Sequence, residues 1–175
     1  MKIIISPAKK MNIREDELEW ANLPCFLSRA EELKRYIQGL DLDQARKLWQ
    51  CNEKIALLNY GRFKEMDLER RLTPALLSYE GIQYQYMAPG VFEQGQWDYV
   101  QEHLRILSGF YGILKPLDGI VPYRLEMQAK VELPSGIKSL YDYWGSSICR
   151  ELAADETLIV NLASKEYSRA VEPYL

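Results

Sequence analysis

The chain has 175 residues and a mass of 20.4 kDa, the size of one domain that buries a core without disulfide or metal staples. Hydrophobic residues at 47% and charged residues at 27% exclude global disorder. With 22 Lys and Arg against 25 Asp and Glu, the net charge of −3 excludes coating of nucleic acid by bulk charge, so any such role needs a local patch. Cys25, Cys51 and Cys149 form no C-x-x-C pair, which predicts buried thiols in a reducing, cytoplasmic setting and no zinc site. No apolar run reaches the ~20 residues of a membrane span, and the three isoleucines before Pro7 are too few for a signal peptide. Without repeats, low-complexity tracts or Gly/Ser linkers, residues 1–175 read as a single domain.

Lys2 to Ser6 is a β-branched run ended by Pro7 and predicts a buried strand. Phe26, Ala30, Leu33, Ile37 and Leu40 step by 4 and 3 and predict an amphipathic helix over Pro24–Leu40. Asp41 with Gln44 three residues on reads as a capping box, opening a second helix that runs through Ala45, Leu48, Asn52 and Ile55 to Gly61. Thr73-Pro74 reads as an N-cap and N1 pair for a short helix to Ser78. Alternation of Ile82, Tyr84 and Tyr86 predicts an extended segment over Gly81–Met87. Trp97, Val100, Leu104 and Leu107 predict a helix from Gln96 to Ser108, closed by Gly109. A Pro/Gly loop follows, then a strand over Tyr123–Val131, a helix capped by Ser139 and carrying Leu140, Trp144, Ile148 and Leu152, a buried strand over Thr157–Leu162, and a final helix capped by Ser164. Intermixed strands and helices place the fold in the α/β (α+β mixed) class, with buried strands and surrounding helices.

Ser6-Pro7-Ala8-Lys9 has the S-x-x-K spacing of serine–lysine acylation sites, yet no S-D-N or K-T-G partner follows. The open end of a strand beside Lys9 and Lys10 also makes an anion-binding corner. His103, the single histidine, lies at the edge of a helix stripe and reads as a packing residue. Asp118, Glu126, Glu132 and Asp142 are carboxylates without metal-loop spacing, so no metal and no cofactor is expected. Arg105 to Lys138 is locally basic and interleaved with Tyr111 and Tyr123, a composition that suits phosphate contact and base stacking as well as it suits a solvated face.

Taken together, several stretches resemble the peroxide-stress YaaA family. They are Ile5-Ser6-Pro7-Ala8-Lys9, the block from His103 to Asp118, Pro122-Tyr123-Arg124-Leu125-Glu126-Met127, Leu140-Tyr141 with Tyr143-Trp144-Gly145, and Asn161-Leu162-Ala163-Ser164 with Glu166-Tyr167. The resemblance implies a cytoplasmic protein that limits hydrogen peroxide damage by keeping unincorporated iron low. It implies a compact α/β fold with a positively charged cleft and a helix-hairpin-helix-like element suited to DNA, placed at the helix ending at Ser108 and at Gly109-Phe110-Tyr111-Gly112. It also implies a further C-terminal, Lys/Arg/Met-rich part past Leu175, so the chain is expected to be truncated there.

The expected partner is DNA. Lys9, Arg105, Lys115 and Arg124 are the predicted phosphate contacts, Tyr111 and Tyr123 the stacking candidates, and Gly109 and Gly112 the sites of close backbone approach. All four cations, with Ser6, are expected on one concave face. The rival is an enzyme for a phosphate-bearing or nucleobase substrate in the same cleft, where Lys9 and Arg124 hold the anion and Glu126 or Ser6 does the chemistry. A small anionic ligand fits either reading, direct iron sequestration is a third, and no membrane contact is expected.

Overall fold

Lys2–Ile5 (β1) is one of the two inner strands on which the sheet is built. In the computed structural model, which describes residues 1–154 and 158–175, β1 runs parallel to Leu104–Ser108 (β5) on one side and to Ile159–Asn161 (β8) on the other; Gly112–Leu114 (β6) closes the far edge antiparallel to β5. Ile4 faces Arg105 and Asn161 across the two ladders, so the register is fixed from both sides. The order β6-β5-β1-β8 makes this a mixed sheet.

The rest of the chain surrounds it. In sequence order come Lys10–Met11 (β2), Leu27–Gln38 (α1), Leu42–Trp49 (α2), Glu53–Lys64 (α3), Thr73–Pro74 (β3), Ala75–Ser78 (α4), Tyr79–Glu80 (β4), Ile82–Met87 (α5) and Gln94–His103 (α6), the last packed on β1 and β5. After β6 come Gly119–Ile120 (β7), Leu140–Trp144 (α7), Ser147–Ala153 (α8), then β8 and Lys165–Ser168 (α9). Two-residue pairs β2–β4 and β3–β7 tie the loops to this frame. Ile4, Ile106, Leu107, Phe110, Tyr111 and Trp144 are among the side chains buried at its centre. The mixed α/β class is thus the observed one.

Local chemistry explains the elements that match expectation. The stripe of α1 buries Ala30, Leu33 and Ile37, and Gly39 closes the helix. Asp41 and Gln44 exchange both bonds of a capping box at 2.8 and 2.9 Å. Ser139 caps α7 through the Asp142 N–H.

Other elements are corrections. The helix expected from Asp41 to Gly61 is two helices: Gln50 takes a left-handed conformation, φ 47°, and Asn52 caps α3 by accepting from the Ile55 N–H. At Thr73-Pro74 the threonine hydroxyl accepts the Arg14 N–H instead of capping, and Pro74 is the residue before α4. Gly81–Met87 is the helix α5 with only Tyr84 buried, while Ile82 and Tyr86 stand exposed, so their alternation did not mark a pleated face. The helix expected over Gln96–Ser108 stops at His103, because Leu104 turns to extended backbone and the aliphatic run Leu104–Leu107 supplies the buried strand that β1 requires.

As a result, the helix-hairpin-helix-like element expected at Ser108–Gly112 is a tight β5–β6 connection, with Ser108 paired to Gly112. Tyr123–Val131 is an irregular segment rather than a strand, with Tyr123, Leu125, Met127, Ala129 and Val131 buried and Gln128 and Lys130 exposed. Gly145, at φ 49°, breaks the expected long helix into α7 and α8. The Ser164 side chain does not cap α9 and turns instead to Ser6. Of the strand expected over Thr157–Leu162, Thr157 lies outside the described residues. β8 is an edge strand with Ile159 and Val160 half-buried and Leu162 exposed, since it has one sheet neighbour instead of two. β1 is fully buried only at Ile4 and Ile5.

Candidate functional site

Ser6 ends β1, and the chain there is held at three points. Its carbonyl accepts from Gln83 Nε2 and from the Tyr84 hydroxyl, both at 2.7 Å, which anchors α5. Its Oγ accepts from the Ser164 N–H at 2.8 Å and donates to Ser164 Oγ at 3.1 Å. The carboxyl ends of the parallel neighbours β1 and β8 are therefore stapled, and a crevice opens beyond them, where open α/β sheets hold their ligands.

A cavity of about 290 Å³ occupies that crevice, lined by Ser6, Lys9, Tyr123, Arg124, Glu126 and Glu166 among others. Lys9 Nζ lies 3.1 Å from Glu126 Oε1, and Arg124 Nη2 reaches the same oxygen at 3.5 Å. The Lys9 side chain is 68% exposed, while those of Arg124 and Glu126 are 11% and 18% exposed. One cation thus stands exposed at the mouth, and a largely buried ion pair forms the wall. Glu166 faces the same space; its side chain accepts the Gln128 N–H, and burial first, then the nearby Glu126 carboxylate, raises its proton affinity. The cleft balances two cations with two carboxylates. An incoming anion competes with Glu126 for Lys9.

The serine–lysine dyad is not assembled. Residues 6–8 are irregular, and Lys9 is paired to Glu126 while Ser6 is paired to Ser164.

Arg105 and Lys115 sit elsewhere, in a second hollow of about 240 Å³ shared with Asn22, Cys25, Asp118 and Glu151. The single concave face expected for Ser6, Lys9, Arg105, Lys115 and Arg124 is therefore two sites: Ser6, Lys9 and Arg124 at one, Arg105 and Lys115 at the other. Arg105 Nη1 donates to the Leu104 and Gln101 carbonyls.

Tyr111 is fully enclosed and Tyr123 is 4% exposed, so neither ring has a face free for a base. Tyr123 stacks on Phe110 at 5.0 Å, and its hydroxyl lies 2.6 Å from both Ser108 Oγ and Tyr79 OH. Burial pushes its ionisation up to about 12. Gly109 and Gly112 are packing glycines in this structure. A Cβ on Gly109 would stand 2.5 Å from the Leu125 carbonyl, and Gly112, at φ 78°, lies under Trp144. Gly109 thereby lets the Arg124–Glu126 segment press against the sheet from behind.

His103 packs on Tyr99 and bonds the Met1 carbonyl, as a packing histidine does. Cys25 is exposed, correcting the expectation that the thiols are buried; Cys149 alone is fully buried and Cys51 half-buried. Among the described residues, no three His, Cys, Asp or Glu side chains are grouped to hold a metal ion, and no helix is long and apolar enough to cross a membrane.

Sequence reasoning missed Glu166 as part of the site and Tyr84 as an anchor of the Ser6 carbonyl. Only Glu166 left a signal, since Glu166-Tyr167 belongs to the motif at Asn161–Ser164.

The family model described as "Peroxide stress protein YaaA" matches residues 1–174. A UPF0246 protein of Desulfitobacterium hafniense is 57% identical over all 175 residues, which span 69% of its length. UPF0246 proteins of Agathobacter rectalis and Lachnoclostridium phytofermentans are each 53% identical over the whole chain, covering 70% and 68% of their lengths.

Proposed function

The chain belongs to the peroxide stress protein YaaA family, and from that premise we propose that it serves this role in the cytoplasm by capturing a phosphate group of DNA in the cleft beyond β1. The observation that carries the reading is the convergence of Ser6, Lys9, Arg124 and Glu126 on one cavity from the two ends of the stretch of chain between Ser6 and Glu126. Arg124 is held in place by its surroundings and offers a preorganised guanidinium, the group best suited to phosphate. Lys9 is free to swing from Glu126 to the anion.

A second reading has its own support. Glu126 beside both cations is placed as an acid or base for a nucleotide or nucleobase substrate held in the same cleft. We place the lowering of unincorporated iron downstream of ligand binding, because Glu126 of the cleft is already paired with Lys9 and Arg124, whose charges repel Fe²⁺.

The test is a fluorescence anisotropy titration of duplex and single-stranded DNA at several salt concentrations, with inorganic phosphate and a nucleoside monophosphate as competitors. Lys9→Ala, at an exposed position that leaves the fold intact, is expected to weaken binding on all DNA sequences alike and to reduce the salt slope by about one. Binding by Lys9→Ala equal to the parent overturns the phosphate assignment. Tight nucleotide binding with turnover that Glu126→Gln abolishes puts the enzyme reading first.

A further inference from the structure

On the far side of the Arg124–Glu126 wall lies another cavity of about 210 Å³, lined by Trp49, Gln50, Arg124, Glu126, Gln128 and Lys130 among others. The two cavities share Arg124 and Glu126, so they are neighbouring compartments of one cleft. The second has an unusual electrostatic state. Trp49 Nε1 and Arg124 Nε are buried, and neither has a hydrogen-bond partner in the protein. Trp49 is 3% exposed at the end of α2. Both groups are donors only, so an acceptor alone satisfies them. Buried polar groups in folded proteins are rarely left unpaired, and two of them on residues that line one cavity point to something that completes them. Lys130 stands at the rim and makes no ion pair among the described residues. Glu126 Oε1 also lacks a hydrogen bond of proper geometry, although Lys9 and Arg124 lie near it. The compartment thus presents an excess of donors and one cation beyond those used by Glu126.

We propose that this compartment is a second phosphate subsite, and that the cleft takes ligands carrying two phosphoryl groups: one against Lys9 and the Arg124 guanidinium tip, the next against Trp49 Nε1, Arg124 Nε and Lys130. The inference rests on the phosphate reading of the first cavity and deepens it. Arg124 lines both cavities and serves both sites, its Nη2 standing 3.5 Å from Glu126 Oε1 and 3.5 Å from the Trp49 carbonyl. A 5′-phosphorylated dinucleotide, with its phosphates separated by a sugar, and a nucleoside diphosphate, with them joined through one oxygen, share this chemistry.

Calorimetry on the chain compares inorganic phosphate, a nucleoside monophosphate, a nucleoside diphosphate and a 5′-phosphorylated dinucleotide. The ligands with two phosphates are expected to bind at least tenfold tighter than inorganic phosphate. Trp49→Phe removes the indole N–H and keeps an aromatic ring; it is expected to erase most of that advantage while leaving inorganic phosphate unchanged. Lys130→Ala, at an exposed site that does not threaten folding, does the same. Lys9→Ala weakens every ligand. A larger gain for the dinucleotide assigns the site to a nucleic-acid backbone, and a larger gain for the diphosphate assigns it to a free nucleotide. If phosphate binds but Trp49→Phe and Lys130→Ala both leave the two-phosphate ligands unaffected, the second subsite is overturned and the first stands. If nothing phosphorylated binds, both are overturned.

Discussion

Asp118 shows how burial sets the behaviour of one side chain. It is 3% exposed, its Oδ2 accepts the Lys115 N–H at 2.8 Å, and its carboxyl is raised to about 6, by burial against the opposing pull of that hydrogen bond and of Lys115. A carboxyl raised in the folded state holds its proton more tightly than it does in the unfolded chain. Folding therefore takes up a proton between about pH 4 and pH 6, and stability falls as pH rises through that window. Asp118→Asn keeps an acceptor for the Lys115 N–H and does not titrate. Its stability relative to the parent is expected to rise by about 2–3 kcal/mol between pH 4 and pH 7, since each pKa unit is worth about 1.4 kcal/mol. Urea unfolding of both proteins at a series of pH values reads this directly, and a pH-independent difference would refute it. Cys25 lies in the same hollow and follows the same physics: burial, then the carboxylates of Glu151 and Asp118, push its thiol up to about 11. The thiolate is the form that peroxide attacks.

At the scale of the element, the break between α2 and α3 decides where Trp49 ends up. Gln50 sits in the left-handed region, a conformation that glycine adopts without Cβ strain, and Asn52 restarts the helix by capping Ile55. A continuous helix through this point would carry Trp49 and the Asn52 side chain on a different path relative to Arg124, whose Nη2 now approaches the Trp49 carbonyl at 3.5 Å. Asn52→Ala is expected to cost about 1 kcal/mol, and Gln50→Gly to be neutral or stabilising by a few tenths up to about 1 kcal/mol. Thermal unfolding of the two variants checks both signs. A large loss for Gln50→Gly would mean that the left-handed turn is held by side-chain contacts rather than tolerated at a cost. Hydrophobic spacing failed to show this break because Ala45, Leu48 and Ile55 remain in helical phase across it.

For the molecule as a whole, the net charge of −3 hides a division of labour. Cations that are close in sequence, from Arg105 to Arg124, are split between two hollows, while Lys9 and Arg124, far apart in sequence, share one. The carboxylates are divided likewise, and Glu126 is screened by two cations. The chain is expected to bind Fe²⁺ no better than a typical acidic protein of its size. Anaerobic calorimetry with Fe²⁺ is the check; stoichiometric tight binding would move direct sequestration ahead of an indirect effect on iron.

The amino-acid sequence by itself determined the mixed α/β class, the first strand, the face of α1, the capping box at Asp41 and the Ser139 cap. Each of these depends on spacing or on a side chain bonding its own neighbours, and such interactions are complete within a few residues. The sequence pointed to one face for Ser6, Lys9, Arg105, Lys115 and Arg124, with Glu126 beside Lys9 and Arg124 only in the enzyme reading, and it could not separate the two hollows. Tertiary structure decided the rest. Leu104–Leu107 has a period that suits a helix, and the empty ladder of β1 made it a strand. Tyr123 and Tyr111 have the composition of stacking residues, and the core enclosed them. Gly109 and Gly112 look free to approach a phosphate, and the Leu125 carbonyl and Trp144 occupy the space. Burial, strand pairing and the direction in which a cation points depend on partners tens or hundreds of positions away, and no local pattern encodes which partner arrives.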